Sequence, residues 1–155
     1  MVKDFRKLIY SILICELAGI IGSVFTASSV SDWYTNLIKP TFNPPSWVFG
    51  PVWAVLYFLM GFSLYFVWIN KNNLKDDALR FFYIQLFFNA LWSILFFGLK
   101  NIFLSFLDII LLGLFIILTM IKFYRISKES FYLLVPYLLW VSFACVLNFY
   151  ILILN

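Results

Sequence analysis

The sequence contains no histidine. That removes the commonest general base, the commonest metal ligand and the usual axial ligand of haem. Cysteine is nearly absent too. Cys15 and Cys145 both lie in apolar runs and form no CxxC pair, so they read as small core residues. Charge is scarce: 12% of residues are Asp, Glu, Lys or Arg, against roughly 25% in soluble globular domains. No nucleotide-binding glycine loop, no nucleophile–base pair and no metal cluster can be assembled from what remains, which disfavours ordinary enzymology. No cofactor and no metal site is expected. The net charge of +4 does not point to nucleic acid, because the basic residues sit in breaks between apolar runs, where they face lipid headgroups.

What the chain has is apolar surface. Of its 155 residues, 65% are hydrophobic, more than a soluble fold of this size can hide. Five runs are long enough to cross a bilayer as helices: about 7–27, 47–69, 79–99, 102–122 and 131–153, with a lid loop over about 28–46. They do not alternate as barrel strands would, and no internal repeat is visible. The fold class is therefore an all-α integral membrane protein, a single bundle of five transmembrane helices. The first run follows Lys3, Arg6 and Lys7 like a signal peptide, but it is too long and contains Glu16, so it reads as a retained helix. Lys3, Arg6, Lys7, Lys71, Lys75, Arg80, Lys122, Arg125 and Lys128 fall on one side of five spans, against Lys39 and Lys100 on the other. This asymmetry predicts a cytoplasmic N-terminus and an outside C-terminus.

The densest punctuation is "KPTFNPPSWVFGPVWAVLYFLMG", Lys39–Gly61. Pro44 and Pro45 suit the approach to a helix, with Ser46 as N-cap of a helix starting at Trp47. The prolines predict a rigid corner but do not explain the aromatics. Trp53, Tyr57, Met60, Leu64 and Trp68 share a stripe of the second span at helical spacing. Gln85, Asn89, Trp92, Ser93 and Phe96 share a face of the third. Tyr137, Trp140, Ala144, Leu147 and Asn148 share one of the fifth. Amides do not face lipid cheaply, so Gln85 and Asn89 should point inward. Glu16 and Asp108 have no basic residue within the spans to pair with. Each is protonated, hydrogen-bonded in the bundle, or beside a wet cavity. Ala18, Gly22 and Thr26, with Gly19 and Ser23, read as close-packing positions of the first span.

Four blocks in order resemble the translocator protein family, also called the tryptophan-rich sensory protein or peripheral-type benzodiazepine receptor family. They are "WYTNLIKPTFNPPSWVFGPVWAVLYFLMG" from Trp33, "QLFFNALWSILFFG" from Gln85, "LDIILLG" around Asp108 and "LVPYLLWVSFACVLNF" from Leu134. The resemblance implies a bacterial cytoplasmic-membrane protein, commonly a homodimer. It implies binding of porphyrins such as protoporphyrin IX and other flat hydrophobic ligands between the helices, under the first loop. Carried over by position, the ligand site includes Trp53, Asn89, Asp108, Trp140 and Ala144, with Tyr57, Trp92 and Leu147 on the same faces. Trp33, Pro44 and Pro45 belong to the lid. Trp53 and Trp140 match tryptophans implicated in light- and oxygen-dependent porphyrin breakdown, which would make them the catalytic pair if that activity is present. Tetrapyrrole transport is a further alternative. The sequence departs from the family twice. Phe42 stands where a tryptophan is usual. At "VLNFYILILN" no Lys or Arg follows Tyr150, so the resemblance carries no expectation of sterol binding.

Overall fold

The computed structural model describes residues 4–155. Lys3, counted in the charge asymmetry, lies outside them. Among the described residues there is no strand, and five helices are long and apolar enough to span a membrane. They are α1 (Phe5–Ser29), α2 (Phe49–Trp68), α3 (Lys75–Ser93), α4 (Ile102–Tyr124) and α5 (Lys128–Leu154). The all-α, five-span architecture is as the apolar runs predict, but several boundaries move.

The largest shift is at the lid. Val30–Tyr34 continue α1 as a wide π turn, and Thr35 and Asn36 are still helical, so the free loop starts near residue 37 rather than 28. The small polar residues that read as a break are bonded back into the bundle. Thr26 Oγ1 donates to Gly22 O and Ser28 Oγ to Phe25 O. Ser29 Oγ donates to Phe97 O across to the third span. Such local bonds let Ser and Thr persist in a helix without ending it. A second π turn, Ile94–Gly98, extends α3. At the other end of the loop, Ser46–Val48 form a single 3-10 turn. Ser46 therefore lies inside the turn, its carbonyl accepting from Phe49 N–H, and does not cap a helix from Trp47. Pro51 sits in the first turn of α2, where its missing N–H is least felt.

The charged starts and tight turns are locally determined. Asp4 accepts from Lys7 N–H at the head of α1, Asn101 from Leu104 N–H at α4 and Ser127 from Ser130 N–H at α5. Each satisfies an orphan donor of the first turn. The α3 helix starts earlier than the apolar run, because Asp76 and Asp77 complement its N-terminus. Asp77 also pairs with Lys122 at the end of α4.

The helices form a closed ring in the order α1, α2, α5, α4, α3 and back to α1. Ile9, Leu13, Leu17, Phe103, Leu114 and Leu139 face outward, as lipid-facing positions should. Two contacts set the spacing of the ring. A Cβ built on Gly61 would stand 2.7 Å from Ile12 Cα, so α1 and α2 touch backbone to backbone there. Ser63 and Ser130 exchange hydrogen bonds, each hydroxyl donating to the other's carbonyl at 2.8 and 2.9 Å, and fasten α2 to α5.

A candidate ligand-binding cavity

Four helices leave a hollow of about 550 Å³ between them at the loop end of the bundle. This is within the roughly 300–1,000 Å³ usual for small-molecule sites. Aromatic rings supply its walls. Trp53 stacks on Tyr57 with centroids 5.5 Å apart and planes at 27°. On α3, Trp92 stacks on Phe96 at 5.1 Å and 15°. From α5, Trp140 meets Phe49 edge-on at 6.1 Å. Both π turns reach the hollow, through Val30, Ser31 and Tyr34 on one side and Phe96 and Phe97 on the other. The wide turns aim these side chains inward, as π bulges at functional sites commonly do.

The polar groups are few and mostly engaged. Tyr57 donates its hydroxyl to Asn89 Oδ1. Asn89 Nδ2 donates to Tyr137 OH at 2.8 Å, and Tyr137 OH donates to Gln85 Oε1 at 2.8 Å. Tyr137 is completely buried, so this relay crosses from α2 through α3 to α5 in the driest part of the bundle. Nearer the loop, Trp92 Nε1 donates to Asn148 Oδ1 at 3.0 Å, which also accepts from Ser105 Oγ at 3.2 Å. Trp140 Nε1 has no hydrogen-bond partner among the described residues.

The remaining loop, 37–45, contributes no lining residue and is tied to the bundle on both sides. Tyr34 OH donates to Asn43 Oδ1 at 2.8 Å. Lys39 Nζ folds back onto the carbonyls of Tyr34, Thr35 and Leu37 and caps the end of the first span. This partial desolvation lowers the pKa of Lys39 below the ordinary lysine range. Just past the end of α5, Asn155 accepts from Ile38 N–H and donates to Ile38 O, and on α5 Tyr150 packs edge-on against Phe42 at 5.3 Å. The lining residues Ser23, Ala27, Ser31, Ser46 and Gly50 are exposed. The hollow thus opens sideways between the loop ends of α1 and α2.

Seven residues expected at the site line this cavity: Trp53, Tyr57, Asn89, Trp92, Trp140, Ala144 and Leu147. Four do not. Trp33 lies on the π turn and packs edge-on against Phe96 at 5.4 Å instead of hanging from a free lid. Pro44 and Pro45 shape the corner above without touching the hollow. Asp108 is 4% exposed on the inner face of α4, a helix that contributes no lining residue, and neither of its oxygens has a hydrogen-bond partner among the described residues. The α1 wall was missed: Gly19, Gly22, Ser23 and Thr26 read as packing positions, yet they border the hollow. Their signal was smallness at helical spacing, which fits a packed seam and a cavity wall equally. Glu16, noted as unpaired, lines the hollow beside them.

Comparison with known proteins places the chain in a family. The TspO/MBR family matches residues 11–154. The chain is 49% identical to the "Tryptophan-rich protein TspO" of Archaeoglobus fulgidus, over 98% of this chain and 99% of that protein. It is 46% identical to the protein of the same name from Chlorobaculum tepidum, over 100% and 99%. It is 33% identical to the "Translocator protein" of Bos taurus, over 88% and 83%. The four sequence blocks and the five-span bundle agree with this relationship, and the chain belongs to the TspO/MBR family of integral membrane proteins.

Proposed function

We propose that the chain is a membrane receptor or sensor that binds porphyrins, protoporphyrin IX among them, and other flat hydrophobic molecules in this cavity. One observation carries the reading: indoles from three different helices, Trp53, Trp92 and Trp140, converge on one hollow at the loop end of the bundle. A flat apolar ring system gains dispersion and offset stacking against such walls and needs no metal ligand from the protein. The sideways opening suits a ligand that partitions into lipid first.

The test is quenching of tryptophan fluorescence by protoporphyrin IX in nanodiscs. Trp53→Phe with Trp140→Phe is expected to weaken binding about tenfold, since two stacking faces shrink and each contributes about 0.5–1.5 kcal/mol. Unchanged affinity in the double variant would remove the site from this cavity. We further propose that the N-terminus faces the cytoplasm. Reporter fusions after Asn155 should then be active only outside the membrane, and activity inside would reverse the orientation.

A further inference from the structure

The aromatic walls leave one lining residue unexplained. Glu16 lies on α1 one turn below Ile20 and borders the hollow together with Gly19. With Tyr57 of α2 and Asn89 of α3, it is the lining residue farthest from the loop on its helix, so these three form the floor. The Glu16 carboxyl makes no hydrogen bond or ion pair with any other described residue. The hydroxyl of Tyr57, which also lines the hollow, is committed to Asn89.

Among the described residues, no lysine or arginine lines the cavity. Elsewhere on its boundary, α3 offers Asn89, Trp92 and Ser93, α5 offers Trp140 and Asn148, and the π turn of the first span offers Tyr34. None carries positive charge. Lys39, the nearest base in the loop above, directs its ammonium to three backbone carbonyls. The cavity is thus a ring-lined slot with a single acidic group, half-buried, at the end away from the loop. A carboxylate midway along a spanning helix is costly without a counter-charge. Indole and phenol faces attract cations as well as flat rings.

We infer that the cavity takes a flat apolar ligand bearing a protonated amine, seated with the ammonium on Glu16 at the floor and the rings between the indoles. The inference rests on the cavity being the ligand site, as proposed above, and names the charge of the end that enters first. A porphyrin carrying carboxylates is held the other way, with those groups at the mouth.

Three probes of matched shape separate charge from stacking: anthracenylmethylammonium, ethylanthracene and anthraceneacetate. Each is titrated against the protein in nanodiscs of zwitterionic phosphatidylcholine, with tryptophan quenching as the readout. The wild-type protein should bind the ammonium about tenfold more tightly than the neutral probe, the scale of one charge-assisted hydrogen bond. The acetate should bind most weakly. In Glu16→Gln the ammonium should lose that advantage while the neutral probe changes less than about twofold, which also shows that the variant is folded. The wild-type ranking stands independently of any variant. Acetate binding as tightly as ammonium would overturn the inference, and so would an ammonium-to-neutral ratio that survives Glu16→Gln. In either case, neutral-probe binding would leave the cavity as the ligand site. Failure of all three probes, with protoporphyrin IX also unbound, would instead bring down both readings.

Discussion

Replacing Gly61 by alanine is expected to destabilise the bundle by about 1–2 kcal/mol, although alanine is the better helix former. The propensity gain is about 1 kcal/mol. The added methyl would stand 2.7 Å from Ile12 Cα and 3.1 Å from Ile12 N. These are backbone atoms, so no rotamer change relieves the clash and α1 must move away from α2. Overpacking of this kind costs about 1–3 kcal/mol and sometimes more, and here it must also offset the propensity gain. Gly113→Ala is the matched control. It lies mid-helix in α4, and a Cβ there meets nothing within 4 Å, so its stability should stay level or rise. Unfolding by dodecyl sulfate in mixed micelles, followed by tryptophan fluorescence, reads both. Equal effects at the two glycines would show that the α1–α2 contact is looser than described.

Asn89→Leu is expected to lose a similar amount, about 2 kcal/mol, through a different mechanism. Leucine keeps the volume but leaves the Tyr57 hydroxyl without its acceptor, and an unsatisfied buried group costs about 1–3 kcal/mol. Tyr137 retains Gln85 as acceptor, so the loss is concentrated on the α2 side. Adding Tyr57→Phe should restore much of the stability, because removing both partners of a hydrogen bond is nearly neutral. The double-mutant cycle measures that coupling directly. Additive losses would mean that the Tyr57–Asn89 bond contributes little. In membranes such bonds often average only about 0.6 kcal/mol, so this cycle also tests whether the relay exceeds that norm.

Much of the bundle was legible because lipid imposes simple rules. Apolar runs of spanning length separated by charge located all five helices, and the amphipathic logic of inward amides placed Gln85 and Asn89 in the interior, where both are buried. The aromatic stripe of the second span also converged on one hollow, with Trp53 and Tyr57 on its wall. What failed was anything set by tertiary partners. Ser28 and Ser29 look like the end of a helix until Phe97 O is seen to accept from Ser29. No local pattern marks the π turn that follows. Asp108 sits in a block that carries the family resemblance, but which side of α4 faces the hollow depends on the ring order of the helices. The α1 wall was hidden for the same reason: a glycine beside a cavity and a glycine beside a neighbour look alike in one dimension.

The ring order has a consequence for biogenesis. Three sequence-neighbour pairs lie side by side, α1 with α2, α3 with α4 and α4 with α5, but the circle is completed by α1 against α3 and by α2 against α5, where Ser63 and Ser130 lie 67 residues apart. Until the last helix inserts, the cavity has no wall at Trp140, Ala144 and Leu147. On the proposed reading of the cavity as the ligand site, a nascent chain carrying only its first four helices would lack one of the four helix walls that hold the ligand. Ligand capture would therefore report completed insertion, and a ligand present during synthesis would favour the finished protein over its truncated precursors.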